Sequence, residues 1–346
     1  MSNRNHFSFL ALVFVVAQTA NEIVGFLLQS NGNRASSDRK LKLNANLITF
    51  DLDDTIFPVG PVVADANKAL FEHMKALGCG TNQQEYLKTT KQIRSELSAE
   101  NKVITYTELR KRAIRTELQK FLGENDVDDS VVFRSYDLWE EHRHIAAETH
   151  LYPDTVSMLE ELKINHPDAV IGAITNGKGN PLMMDSIRDY FDFCVSGEDE
   201  NVFPQRKPSE GIYKVALERF KELSEERTAE PINMENQCWI HIGDDLANDV
   251  GASAKCGAKA IWVDLDDTYD QSASSRDASK EQPAWSTATK EELEKRIMMN
   301  EKAQENVSER VATLTMIPAA VNSITNSVVQ TSKIELPMQS FDQDSR

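Results

Sequence analysis

Asp51-Leu52-Asp53-Asp54-Thr55 crowds carboxylates into one short run and closes it with a hydroxyl. Clustered aspartates suit a hard divalent cation such as magnesium, which prefers oxygen ligands. Further along come Thr175-Asn176-Gly177, then Lys207-Pro208, then Gly243-Asp244-Asp245 with Asp249 after it. A hydroxyl backed by successive backbone N–H groups, with a lysine nearby, is equipped to hold an anion such as a phosphate group. Taken singly, these signals are ordinary. Asp after a strand is common turn chemistry, Thr-Asn-Gly a frequent turn and Lys-Pro a frequent helix approach. The chain also carries a warning, because Asp-Leu-Asp-Asp-Thr recurs from Asp264 to Thr268. That copy follows the last expected strand with only polar tail beyond it, and is read as a solvated turn.

Groups so distant in sequence act together only if the fold gathers them. The first strand is expected at Leu47–Phe50, directly before Asp51. Residues 62–148 read as helical, with apolar side chains at three- and four-residue spacing over 62–77, 106–122 and 131–147. Helices and strands then alternate: helix 153–162, strand 169–174, helix 181–190, strand 191–195, helix 208–223, strand 239–242, helix 248–256 and a final strand 260–263. This order predicts an α/β fold, a doubly wound parallel sheet covered on both faces, interrupted after its first strand by an inserted helical cap. In such sheets ligands bind at the carboxyl ends of the strands. All the polar signals fall at that edge.

D-x-D-x-T, a strand ending in Thr-Asn-Gly, Lys-Pro and G-D-D-x-x-x-D, in this order, resemble the signature of haloacid dehalogenase (HAD) superfamily phosphatases over about residues 46–266. The resemblance implies a Rossmann-like core at 46–61 and 149–266, with a C1-type helical cap at 62–148. It further implies a magnesium ion held by Asp51, Asp244 and the backbone carbonyl of Asp53, with Asp51 attacking phosphorus. Thr175, the backbone after it at Asn176, and Lys207 would hold the phosphate. Asp249 would orient Lys207 or a metal-bound water. A phosphate monoester carries about two negative charges, which an attacking carboxylate needs neutralised. Asp53 would protonate the leaving oxygen and then activate water; a halide leaves without a proton, so dehalogenation is disfavoured. Phe50-Asp51-Leu52-Asp53-Asp54-Thr55, Asn180-Pro181, Asp189-Tyr190-Phe191-Asp192-Phe193 and His241-Ile242-Gly243-Asp244-Asp245 look like a subgroup acting on flavin mononucleotide (FMN) and on the phosphorylated ribitylaminopyrimidine of riboflavin synthesis. Phosphoglycolate or sugar phosphates, phosphomutase chemistry, and a non-catalytic binding role of the same fold are the alternatives.

Lys and Arg total 38 against 55 Asp and Glu, a formal charge of −17. That field repels nucleic acid and anionic membranes, so the expected partner is a small phosphorylated metabolite met by a locally positive site. Oligomeric state is left open. Cys79, Cys194, Cys238 and Cys256 lie far apart and read as buried thiols. Trp139, His142 and Arg143 share a cap helix, where an aromatic and a cation could stack on a flavin or contact a polar tail; packing plus solvated charge is the preferred reading.

Residues 1–45 read as a leader. Arg4 precedes an apolar run over 7–17, too short to span a bilayer as a helix and suited to a signal-peptide core. Residues 29–46 are rich in Ser, Asn, Arg and Lys. Two readings stand: a secretory signal with a linker, or a bipartite plastid leader; without a working leader the protein would stay cytoplasmic. Residues 267–346 read as a low-complexity tail with one helix opened by Thr289 and Glu292, loosely packed beyond Pro318.

Overall fold

The computed structural model describes residues 44–123, 127–265, 269, 271 and 290–334. Residues 1–43 of the expected leader, and 266–268 of the second Asp-Asp-Thr copy, lie outside the described residues. The centre is a parallel sheet of β1 (Leu47–Phe50), β2 (Val170–Thr175), β3 (Phe193–Ser196), β4 (Trp239–Gly243), β5 (Lys259–Val263) and β6 (Val307–Val311). Its order is β3-β2-β1-β4-β5-β6. Every residue of β1, β2 and β4 is buried, which is why these segments read as near-continuous apolar runs.

The chain leaves β1 for β2 and β3 on one side, then returns to the other side of β1 for β4 to β6. The strand order reverses between β1 and β4, and their following loops part to leave a crevice. Phe50 lies opposite Ile242, and Asp51 N–H donates to the Ile242 carbonyl at 2.8 Å. Asp51 and Gly243-Asp244 therefore leave the sheet side by side.

Between β1 and β2 come α1 (Val59–Ala76), α2 (Gln83–Ala99), α3 (Tyr106–Leu122), α4 (Asp129–Thr149) and α5 (Thr155–Asn165). The starts of α2, α3 and α4 are set by side-chain caps from Asn82, Thr105 and Asp128, each accepting a backbone N–H of the first turn. Leu70, Met74, Ile114, Leu118, Val132 and Tyr136 form an apolar centre of their own among these helices. Buried Glu117 is held there by Thr89, by Thr81 at 2.7 Å and by Lys120 at 2.6 Å. Leu159 and Leu162 of α5 cover one sheet face; Ile212, Tyr213 and Phe220 of α6 (Glu210–Thr228) cover the other.

Several expected elements differ. Residues 181–190 do not form one helix but two short 3-10 turns, at Pro181–Met183 and Arg188–Tyr190. Pro181 of the first turn and Met184 and Ile187 between the turns are buried at every third position, a spacing that tight turns satisfy. The helix expected at 248–256 starts earlier, as a π-helical turn over Leu246–Gly251, and continues as α7 (Ala252–Lys255). The strand at 260–263 is not the last, because β6 pairs beyond β5.

The tail reading is corrected most. Residues 290–303 form α8 (Lys290–Ala303), β6 extends the sheet, and α9 (Ile317–Ile334) packs Ile317, Val321 and Ile324 into the same core as Leu159 and Ile261. Polar composition hid a helical spacing of apolar residues at 317, 320, 321 and 324. Asp264 is likewise no solvated turn: it is buried, its N–H donates to the Val311 carbonyl, and its carboxylate pairs with Arg310. Cys79 and Cys238 are buried, Cys194 and Cys256 half-buried, and all four are free thiols.

Candidate active site

Asp51 follows β1 at the crevice and is buried. After it the chain turns tightly: Thr55 and Ile56 N–H both donate to the Leu52 carbonyl, and Asp54 takes φ 63°. The Asp54 carboxylate accepts the Val59 N–H at 2.9 Å, steering the chain into α1. Asp53 is thereby left facing the crevice next to Asp51.

β4 delivers Asp244 opposite. Its N–H donates to Thr55 Oγ1 at 3.1 Å, and its carbonyl accepts Trp262 Nε1–H at 2.8 Å. Asp245 caps the π-helical turn by accepting from Ala247 and Asn248 N–H. This turn swings Asp249 back over Gly243, where a Cβ would lie 2.4 Å from the Asp249 Cγ. Only glycine admits that approach.

Lys207 Nζ bridges the two loops, donating to Asp51 Oδ1 at 2.6 Å and to Asp249 Oδ1 at 2.7 Å. Its backbone is clamped by Asn176, whose Nδ2 donates to the Lys207 carbonyl at 3.0 Å and whose Oδ1 accepts the Lys207 N–H at 2.8 Å. The Asn176 side chain thus positions the lysine, leaving its backbone N–H as the part that serves an anion. Thr175 Oγ1 accepts Gly177 N–H at 3.2 Å, which leaves the hydroxyl hydrogen free to donate.

Behind Asp249 runs a buried chain of polar groups, Trp239, Thr49 and His241, to which the sequence assigns no individual role. Trp239 Nε1–H donates to Thr49 Oγ1 at 2.8 Å, Thr49 Oγ1 lies 2.8 Å from His241 Nδ1, and His241 Nε2 lies 3.5 Å from Asp249 Oδ1. Indole only donates, so the Thr49 hydroxyl hydrogen is free for Nδ1, leaving the imidazole proton on Nε2 towards Asp249. Thr49 and His241 were detectable as polar residues inside apolar strands.

The charges are unbalanced. Asp51 is pushed up to about 8, by burial first and by Asp249 and Asp53 next, with Lys207 pulling the other way. Asp244 is raised well above the carboxylate range by burial, then by Asp54, Asp249 and Asp51. Asp249 is lowered: burial opposes ionisation, but the charge of Lys207 prevails. Burial also opposes the charge on Lys207, yet Asp249 and Asp51 raise it.

Asp51, Asp244 and Asp249 offer ligand atoms within 4.8 Å of one another, all buried. The Asp249 oxygens are engaged by Lys207 and by Asp245 N–H at 3.0 Å. Among the described residues Asp244 Oδ1 receives only a long contact from Thr55, at 3.4 Å. Two buried carboxylates pushed towards neutrality, one barely hydrogen-bonded, are what a divalent cation with oxygen ligands would relieve. The donor set fits magnesium. Asp249 fits the expected role of orienting Lys207.

Arg143 of α4 also reaches this site, contrary to its expected solvated place. Far from solvated, it is 3% exposed, and its Nη2–H donates to Asp53 Oδ1 at 2.7 Å. The signal was its place on the buried stripe of Val132, Tyr136, Trp139, Arg143 and Ala147. Trp139 itself packs within the cap, donating to Asn67 at 3.0 Å beneath the Arg110 guanidinium.

A family model described as haloacid dehalogenase-like hydrolase matches residues 45–257. The chain is 25% identical over 236 residues to the 5-amino-6-(5-phospho-D-ribitylamino)uracil phosphatase YigB of Escherichia coli (strain K12), covering 64% of this chain and 87% of that protein. It is 22% identical over 245 residues to the ribulose-1,5-bisphosphate 5-phosphatase of Halopiger xanaduensis, covering 69% and 93%. Among solved structures, a 2-haloacid dehalogenase from Pseudomonas syringae pv. Tomato DC3000 aligns with a TM-score of 0.54 at 19% identity, covering 81% of this chain and 99% of that one. At that identity the likeness is one of fold.

Proposed function

The chain belongs to the haloacid dehalogenase-like hydrolases and acts on phosphate esters, and from that premise we propose a magnesium-dependent phosphomonoesterase working through an aspartyl-phosphate on Asp51. The observation that carries the reading is the Lys207 bridge: one buried ammonium fixes Asp51 at the switch crevice, with Asp53 beside it and Asp244 opposite.

Asp51, Asp244 and the Asp53 carbonyl would hold the ion, which when bound offsets the negative charge of the phosphate. Asp51 attacks phosphorus, and the bond from phosphorus to the ester oxygen breaks as Asp53 gives that oxygen its proton. Asp53 then takes a proton from the water that attacks the aspartyl-phosphate, releasing inorganic phosphate and restoring Asp51. Thr175, the Asn176 backbone and Lys207 hold the non-bridging oxygens. Asp53 sets the chemistry apart from dehalogenation, which needs no acid.

For substrate we propose a ribityl-type phosphate, FMN or the phosphorylated ribitylaminopyrimidine. Support comes from the likeness to the Escherichia coli phosphatase and from the motifs shared with that subgroup. The test is phosphate release from a panel of esters by the wild type and by Asp51→Asn. Asp51→Asn should lose roughly 10³-fold or more, the scale of losing a nucleophile. Near-normal release by folded Asp51→Asn would reject the mechanism, and equal rates on phosphoglycolate and sugar phosphates would reject the substrate.

A further inference from the structure

The guanidinium of Arg143 is only half used. Nη2 is bonded to Asp53, but Nη1 is buried without a hydrogen-bond partner among the described residues. A buried charged donor without an acceptor carries an uncompensated desolvation cost, which a bound acceptor would remove. The loop after β2 makes room for this group. A Cβ at Gly179 would stand 3.1 Å from Nη1 and 3.0 Å from Leu52 Cδ1, so a side chain there would crowd the guanidinium. At Gly177 a Cβ would stand 3.4 Å from Asp53 Oδ2. Two glycines and a cap arginine therefore frame the carboxyl that serves the leaving oxygen.

We propose that Arg143 is a specificity-determining residue, whose Nη1–H donates to a hydroxyl on the carbon next to the phosphate-bearing carbon, so that the enzyme selects phosphate esters of polyols. This rests on the phosphatase reading of the site. The ester oxygen must come within hydrogen-bond reach of Asp53, about 2.6–3.2 Å, to receive its proton. The first carbons of the alcohol then lie against the guanidinium already bonded to Asp53. An oxygen on the second carbon is the group placed to take the unused donor.

The chemistry of that oxygen follows from the surrounding charge. Nη2 is already committed to Asp53, so Nη1 offers a single donor, which suits one hydroxyl oxygen better than the paired oxygens of a carboxylate. Asp51, Asp244 and Asp249 crowd the floor of the same crevice. A substrate carboxylate would sit among carboxylates, whereas a neutral hydroxyl accepts the N–H without that repulsion.

The test compares ribitol 5-phosphate, n-pentyl phosphate and 2-phosphoglycolate, three primary esters that present a neighbouring hydroxyl, nothing and a carboxylate. Wild-type kcat/KM should favour ribitol 5-phosphate over pentyl phosphate by about 10–100-fold, the value of one charge-assisted hydrogen bond. Arg143→Ala slows every ester by a common factor through Asp53, so the readout is the ratio, which should collapse towards one. Arg143→Lys should restore part of it. Gly179→Ala, which leaves Arg143 in place but crowds it, should lower the ratio too. In the Asp51→Asn background, calorimetric binding of ribitol 5-phosphate should weaken when Arg143→Ala is added.

A ratio that survives Arg143→Ala while all rates fall in parallel would overturn the proposal, leaving Arg143 a positioning residue for Asp53. A wild type that prefers 2-phosphoglycolate would overturn it as well. Inactivity on all three esters would instead strike the phosphatase reading beneath it.

Discussion

The floor and the roof of the crevice are built on different rules. On the floor, Asp51, Thr175 and Asp244 each stand at or just past a strand end, so backbone pairing places them before any side chain is considered. On the roof, Arg143 projects from the interior of a helix and reaches Asp53 through its full side-chain length. Strand ends give a site its fixed chemistry, while a helix face supplies a longer, more adjustable contact. In the proposed mechanism the floor carries the reaction, and the roof reads the leaving group.

The floor should therefore be the more sensitive. Asp53→Asn should reduce kcat about 10²–10⁴-fold, the usual worth of a placed acid and base, in protein that still folds. If folded Asp53→Asn kept most of its rate, the separation between floor and roof would be lost.

Stability sharpens the comparison next. Ile317 of α9 is fully buried against the sheet, and Ile317→Ala should cost about 2–5 kcal/mol by chemical denaturation. Activity per folded molecule should stay near normal. A cost near zero would return residues 317–334 to the status of a loose tail.

A smaller effect tests how the tail supports the floor. Arg296 of α8 pairs with Asp245, and Asn300 Oδ1 accepts Ala247 N–H at 2.9 Å, so α8 braces the turn that aims Asp249. Ala303 presses on Gly251, where a Cβ would lie 2.8 Å away. Arg296→Ala should lower kcat about tenfold, equivalent to ~1.4 kcal/mol, though it touches no substrate. An unchanged kcat would show the turn to be rigid without its brace.

The smallest effect belongs to the cap. Glu117 is held below its ordinary value: burial opposes the charge, but Lys120, Thr89 and Thr81 outweigh it. A lowered native pKa adds stability that is complete above the unfolded value and fades as pH falls through the native one. Glu117→Gln should therefore cost about 1 kcal/mol at neutral pH, narrowing in acid, as read from melting curves. A gap that widened in acid would contradict the sign.

The same division explains what could be read from the chain. Apolar strands followed at once by Asp51, Thr175 and Gly243-Asp244 give away both topology and chemistry, because strand and ligand are neighbours in sequence. Arg143 was visible but misread, since a charge on a helix is ordinarily solvated and only the stripe running through Trp139 marks it as inward. Thr49 and His241 stand out as polar residues inside apolar strands, but their pairing is not legible, because Trp239 lies far from Thr49 along the chain and Asp249 lies beyond a turn from His241. Polar composition masks β6 and α9: an edge strand with alternate exposure, Val-Ser-Glu-Arg-Val, looks polar as an average although its period is that of a strand.

The most direct measurement is phosphate release by the full chain from ribitol 5-phosphate and FMN, first stripped with EDTA and then titrated with magnesium. Turnover that is absent in EDTA and restored by magnesium in the wild type, but not in Asp244→Asn, is the expected result. Equal turnover with and without the metal would contradict a carboxylate cluster gathered at the switch crevice to hold an ion.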